Sequence, residues 1–135
     1  MTARELKVLY LLPAEGFGGA ERQGLLHLAE LPRQGVEVTA LVGPSAPIAL
    51  ALREAGVDCA EPFECFPDHT HEPLSLASDA AYLAHWLSAV KRSAREIERR
   101  VRGKRFELIF ANRTFAWLVA ALVSRRLGIP YVLRA

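Results

Sequence analysis

The residues best suited to chemistry near the start of the chain are Gly16, Gly18, Gly19 and Arg22. They follow a near-continuous apolar run, Leu6–Leu12, that stops at Pro13, and they lead into a segment of helical character. A glycine-rich turn feeding a helix presents unpaired backbone amides at the positive end of the helix dipole, a natural site for phosphate or another anion. A tight turn with no ligand is the alternative reading of the same glycines. A second polar group, Asn112-Arg113-Thr114, follows a later apolar run, Phe106–Ala111. A third, Asp68-His69-Thr70-His71-Glu72 with Cys65 nearby, contains metal-ligand types, but its spacing matches no zinc motif, so it reads as a polar loop.

What lies between these groups determines whether they meet. Five apolar runs, Leu6–Leu12, Val36–Val42, Val57–Ala60, Phe106–Ala111 and Tyr131–Leu133, are continuous rather than alternating. Strands buried on both faces look like this, and they belong to parallel sheets covered by helices. Helical segments are expected at about 20–33, 48–55, 79–102 and 115–127, with Gly35, Gly56 and Gly128 as stop signals. In the third, Leu83, Leu87, Val90, Ala94, Ile97 and Val101 form one apolar stripe, and Ser78 or Asp79 is the expected N-cap. Thr114 is the expected N-cap of the fourth. Trp86 and Trp117 read as packing residues, and His27 and His85 as surface or half-buried ones.

Right-handed crossovers turn this order into a single α/β domain over residues 1–135, a Rossmann-like doubly wound parallel sheet of five strands. The expected strand order is 3-2-1-4-5, with helices on both faces. Ligands in such sheets bind at the carboxyl ends of the strands where the winding reverses, here between strands 1 and 4. The glycine turn and Asn112-Arg113-Thr114 both fall on that rim.

Several nucleotide-binding modes are disfavoured. A dinucleotide fingerprint needs a third glycine where Glu21 stands, and an acidic residue after the second strand, which ends Leu41-Val42-Gly43-Pro44-Ser45. A P-loop needs Gly-Lys-Ser/Thr, which is absent. A receiver-type signalling domain needs an acidic cluster after strand 1 and a strand ending in aspartate, and neither is found.

The composition, 51% hydrophobic and 24% charged, is that of an ordinary soluble globular domain. Two cysteines, Cys59 and Cys65, give no disulfide framework, and no signal-peptide pattern or membrane-length apolar run is present. These features point to the cytoplasm with reduced thiols. Charge is uneven. Residues 91–105 hold eight basic and two acidic side chains, a balance of +6, so the rest of the chain carries −4 to give the net +2. A solvated helix face is one reading of that window. Contact with anionic lipid headgroups, as a peripheral attachment at the inner membrane face, is another. Nucleic acid is not expected as a partner, because interleaved aromatics and a fold signature are missing.

The wording of the motifs adds a resemblance. Gly18-Gly19-Ala20-Glu21-Arg22, then Leu25-Leu26 with Leu28-Ala29, then Gly35 with Glu37-Val38-Thr39, is similar to the start of the family 4-like glycosyltransferases. Leu52-Arg53-Glu54-Ala55-Gly56-Val57, Phe106–Ala111 and Arg126–Val132 extend the likeness over nearly the whole chain. Those enzymes are two-domain GT-B proteins, and this chain resembles their N-terminal, acceptor-side domain. The resemblance implies transfer of a sugar from a nucleotide-sugar donor to an acceptor, with retention of anomeric configuration and no metal or other cofactor. It implies that Gly18, Gly19 and Arg22 approach the donor diphosphate, and that Asn112, Arg113, Thr114 and Arg134 border the acceptor pocket. The family commonly has His-Ala-His where this chain has Phe110-Ala111-Asn112, so no catalytic base is assigned. A functional histidine after strand 5 and a C-terminal donor domain with paired glutamates lie beyond this sequence, so the fragment is not expected to catalyse transfer alone. A stand-alone module binding a phosphorylated small molecule in the same crevice is the rival reading.

Overall fold

The computed structural model describes residues 6–13, 19–43, 46–66, 76–112 and 114–134. Five parallel strands, β1 (Leu6–Leu12), β2 (Val36–Val42), β3 (Ala60–Pro62), β4 (Leu108–Asn112) and β5 (Tyr131–Arg134), form one sheet in the order β3-β2-β1-β4-β5. This is the expected doubly wound arrangement, reversing between β1 and β4. β1 pairs with β2 over its whole length, Leu6 opposite Val36 to Leu12 opposite Val42, and with β4 from Val8 opposite Leu108 to Leu11 opposite Ala111. Four helices connect the strands: α1 (Gly19–Glu30), α2 (Ala46–Glu54), α3 (Leu76–Val101) and α4 (Thr114–Leu127).

The strands are continuous apolar runs because successive side chains go to opposite faces and both faces are covered. Leu9, Leu11, Ile109 and Ala111 pack with Ile97 and Val101 of α3 and Val119 and Val123 of α4. Tyr10, Leu12, Val38, Ala40 and Val42 pack on the other face with Leu28 of α1 and Ile48 and Leu52 of α2.

Five departures from the sequence reading bear on capping and packing. The first α-helix ends at Glu30, and residues Leu31–Gln34 form a 3-10 turn instead. Pro32 has no N–H to return to the carbonyl of Leu28, so the α-helical ladder stops there. The third strand begins at Ala60, three residues later than its apolar run, because Val57 is used by the end of α2. Gly56 adopts a left-handed φ of 72°. Its N–H donates to the Arg53 carbonyl at 3.2 Å, and the Val57 N–H donates to the Leu52 carbonyl at 3.0 Å. This is a Schellman cap, with Val57 and Leu52 as its apolar pair. Third, α3 starts at Leu76, so Ser78 and Asp79 lie inside its first turn and do not cap it. Fourth, Thr114 is the first helical residue of α4, one position inside the cap.

The fifth departure concerns the α3 stripe. Val90, Ala94, Ile97 and Val101 are buried, but Leu83 and Leu87 are 53% and 43% exposed. The crossover helices run antiparallel to the strands, so the start of α3 lies toward the carboxyl rim. Trp86 meets Phe115, in the first turn of α4, edge to face at 5.5 Å. The ten residues of α3 before Trp86 continue about 15 Å past that level, and Ala80, Ala81, Leu83, Ala84 and His85 among them are exposed.

Candidate functional site

The carboxyl rim is assembled where β1 and β4 lie side by side and their following helices leave on opposite faces. β1 ends at Leu12 and the chain re-enters described structure at Gly19, the first residue of α1. β4 ends at Asn112 and α4 begins at Thr114. The first four N–H groups of each helix have no intrahelical acceptor, and both positive dipole ends lie at this rim. The Gly43 N–H donates to the Leu12 carbonyl at 3.0 Å and the Phe63 N–H to the Val42 carbonyl at 2.8 Å, which extends the ordered edge toward β3.

Of the residues singled out from the sequence, Gly19 stands at the N-terminus of α1, and Arg22 lies one turn into it, exposed and in interaction with a neighbouring group. Asn112 and Arg134 are register partners at the ends of β4 and β5, so the topology brings these two positions together. Thr114 follows two residues after Asn112. Gly18 and Arg113 lie outside the described residues, as do Asp68, His69, His71 and Glu72. Cys65, from the same loop, is half-buried, and its carbonyl accepts a hydrogen bond from the buried Ser93 hydroxyl at 3.2 Å.

Asn112 is only 1% exposed. Its side chain lies beneath α1, and its Nδ2 is 3.6 Å from where a Cβ on Gly24 would stand. That same Cβ would come within 2.9 Å of Leu12 Cδ2. The absence of a side chain at Gly24 therefore lets α1 sit directly on the ends of β1 and β4. The sequence reading missed this residue. Its signal was a glycine inside a helical pattern, where glycine costs about 1 kcal/mol against alanine unless a close approach requires it.

One helical turn further on, the Tyr10 hydroxyl lies 3.1 Å from His27 Nδ1. Tyr10 is fully buried and stacks on Phe110 at 4.9 Å, and His27 meets Phe110 edge to face at 5.7 Å. This trio fixes α1 across β1 and β4. The pair was also missed, because a tyrosine inside a strand and a histidine seventeen residues later carry no spacing signal.

A cavity of about 450 Å³ opens one strand away from the crevice, between α2 and the ends of β2 and β3. Val42, Ile48, Leu52 and Val57 line it, with Arg53 and Glu61 among its few charged groups. It lies beside the Schellman cap of α2 and holds none of the residues singled out from the sequence. Among the described residues no group of histidine, cysteine, aspartate or glutamate is arranged to hold a metal ion.

Solved structures share this architecture. The calicheamicin glycosyltransferase CalG4 superposes with a TM-score of 0.68 at 18% identity, over 97% of this chain and 32% of that one. The fold is glycosyltransferase-like. HepE from Anabaena, solved in complex with UDP and glucose, matches with a TM-score of 0.57 at 20% identity, over 96% of this chain and 29% of its own. The C-terminal domain of a hydrogenase from Pyrococcus furiosus matches with a TM-score of 0.61 at 17% identity, over 99% of this chain and 96% of that domain. This chain thus spans about a third of the glycosyltransferases it matches. No protein-family model matches the sequence. No curated protein matches it either.

Proposed function

We propose that this chain is the acceptor-side domain of a retaining, family 4-like glycosyltransferase, working with a donor-binding domain outside this sequence. The observation that carries the reading is the coincidence of two features. The sheet reverses its winding between β1 and β4, and at that reversal α1 begins at Gly19 while α4 begins on the opposite face. Two helix N-termini then face one crevice, where a departing diphosphate would be stabilised electrostatically. In this reading the Gly18 and Gly19 amides and Arg22 approach the diphosphate of a nucleotide-sugar donor. Asn112, Arg113, Thr114 and Arg134 border the acceptor. Asn112 acts from beneath α1, orienting the rim, and cannot serve as a base. The presence of UDP and glucose in the HepE structure supports a nucleotide-sugar donor. The reaction needs no metal in this reading, and the protein works in the cytoplasm, with the basic 91–105 segment turned toward an anionic membrane surface.

The hydrogenase match supports a second reading, because there the same fold is one domain of a protein that is not named as a glycosyltransferase. A stand-alone module would use the same crevice for a phosphorylated small molecule.

Titrating the ¹⁵N-labelled chain with inorganic pyrophosphate tests the crevice. Shifts at the amides of Gly19, Arg22 and Thr114 are expected. If those amides do not move at any concentration, the phosphate role of the crevice is wrong in both readings. Turnover of the longer enzyme carrying Gly19→Val separates them: the transferase reading expects loss, and unchanged transfer would remove it.

A further inference from the structure

The charged half of α3 forms a second feature, at the opposite end of the sheet from the crevice. Arg95, Glu98, Arg99 and Arg102 recur at i, i+3, i+4 and i+7 and so share one helical stripe. That stripe faces α4. A concavity of about 290 Å³ between the two helices is lined by these four residues and Arg126. Four guanidinium groups thus converge on a space that holds one carboxylate. Glu98 joins the two helices, accepting from Arg126 at 3.1 Å and pairing with Arg102 at 3.5 Å. Arg99 is steadied by Glu96, its Nε donating at 3.1 Å. Arg95 is exposed and has no ion-pair or hydrogen-bond partner among the described residues.

The usual reason for arginines late in a helix covers Arg99 and Arg126, in the last turns of α3 and α4, but not Arg95. Favourable interaction with the dipole is confined to the last turn, whereas α3 ends at Val101 and Arg95 lies six residues earlier. Nor does packing require them, since α3 and α4 already meet through Val90, Ala94, Ile97, Val119 and Val123. Four guanidinium groups against one carboxylate in the lining leave the groove's field positive, which favours an anion. Guanidinium forks match phosphate oxygens in bidentate geometry, and Arg102 and Arg126 are already oriented by a shared carboxylate. Lys91, Arg92, Lys104, Arg105 and Arg125 are exposed around the groove and add to its field.

We propose that the groove between α3 and α4 binds a phosphate-bearing anion, either a soluble polyphosphate group or the headgroup of an anionic lipid. Arg95 is its free ligand, Arg99, Arg102 and Arg126 complete the set, and Glu98 positions two of them. The site does not depend on the glycosyltransferase reading.

The test uses two probes on the 135-residue chain at low salt. Inorganic pyrophosphate is titrated calorimetrically, and vesicles of phosphatidylcholine containing phosphatidylglycerol are floated with the protein. Pyrophosphate binding without flotation assigns a soluble ligand, flotation without pyrophosphate binding assigns the lipid headgroup, and both together assign the shared phosphate chemistry. Arg95→Glu/Arg102→Glu should weaken whichever is seen by about tenfold or more, and Arg95→Gln should weaken it in the same direction. Arg33→Glu/Arg53→Glu makes the same charge change on the opposite face of the sheet and should retain binding. Circular dichroism checks that each variant is folded. Binding of neither probe overturns the proposal, as does an equal loss in both double variants. In the labelled chain the arginine Nε signals report this groove and the Gly19 and Thr114 amides report the crevice, so either site can fail without the other.

Discussion

The two faces of the sheet are built differently. On one, the long helices α3 and α4 bury a contiguous set of aliphatic and aromatic side chains from Phe63 to Val123. On the other, the shorter α1 and α2 cover mainly β1 to β3, with Leu28, Ile48 and Leu52 against Tyr10, Leu12 and Val42. That second face contains the glycine-to-sheet contact at Gly24, the Tyr10–His27–Phe110 cluster and a 450 Å³ cavity. Toward the β5 edge both faces thin alike, with Tyr131, Val132 and Leu133 41%, 44% and 46% exposed. The difference separates support from use. One face holds the sheet rigid through apolar bulk. The other spends its close contacts on setting one helix N-terminus against the strand ends.

Truncating the supporting face should do the most damage. Ile97 is fully buried among Val90, Ala94 and the β1 and β4 side chains. Ile97→Ala should cost about 2–5 kcal/mol in urea unfolding, with loss of a cooperative transition if the domain has little to spare. A cost under about 1 kcal/mol would mean that this face is not the main support.

On the other face, Gly24→Val should cost about 1–3 kcal/mol by overpacking against Leu12. The same substitution should shift the amide signals of Gly19 and Asn112, because α1 must lift from the strand ends. Equal destabilisation without those shifts would break the link between Gly24 and the rim. Tyr10→Phe keeps the ring stack and removes only the hydroxyl facing His27. It should cost about 0.5–1.5 kcal/mol, and an unchanged midpoint would make that hydrogen bond dispensable.

The smallest effect belongs to the solvent side of α3. Hydrogen bonds from Arg99, then from Arg100, lower the Glu96 carboxyl from near 4.5 to about 2. A carboxylate whose folded pKa is depressed stabilises the fold above its unfolded pKa and loses that contribution as pH falls through the folded value. Glu96→Gln should therefore be slightly less stable than the parent at pH 7. The gap should close between about pH 4.5 and pH 2. The pair is exposed, so added salt should shrink the gap at every pH. A gap that widens on acidification would remove the ion-pair account.

The apolar runs marked β1 and β2 at their observed bounds because each is closed by breakers, Pro13 after β1 and Gly35 and Gly43 around β2. They failed for β3, where Val57 serves a helix cap that the run alone could not reveal. Periodicity likewise marked the whole α3 stripe, but only its later members, Val90, Ala94, Ile97 and Val101, are buried. A hydrophobic period reports which face a residue takes and not how far the neighbouring element reaches. At the rim, the starts of α1 after β1 and of α4 after β4 were legible from the order of the runs. Gly24 and the Tyr10–His27 pair were not, because their meaning lies in contacts between elements far apart in sequence.

The sequence by itself determined the class of fold, the strand order and the place between β1 and β4 where the winding reverses. Those follow from apolar runs, stop signals and the handedness of crossovers, all of which are local or obey a single chiral rule. The tertiary structure alone decided that Asn112 lies buried beneath α1, that Asn112 and Arg134 are neighbours, and that arginines from α3 and α4 converge on one groove. Each depends on the register and packing of separate elements, which are fixed only when the whole sheet and its helices exclude water together.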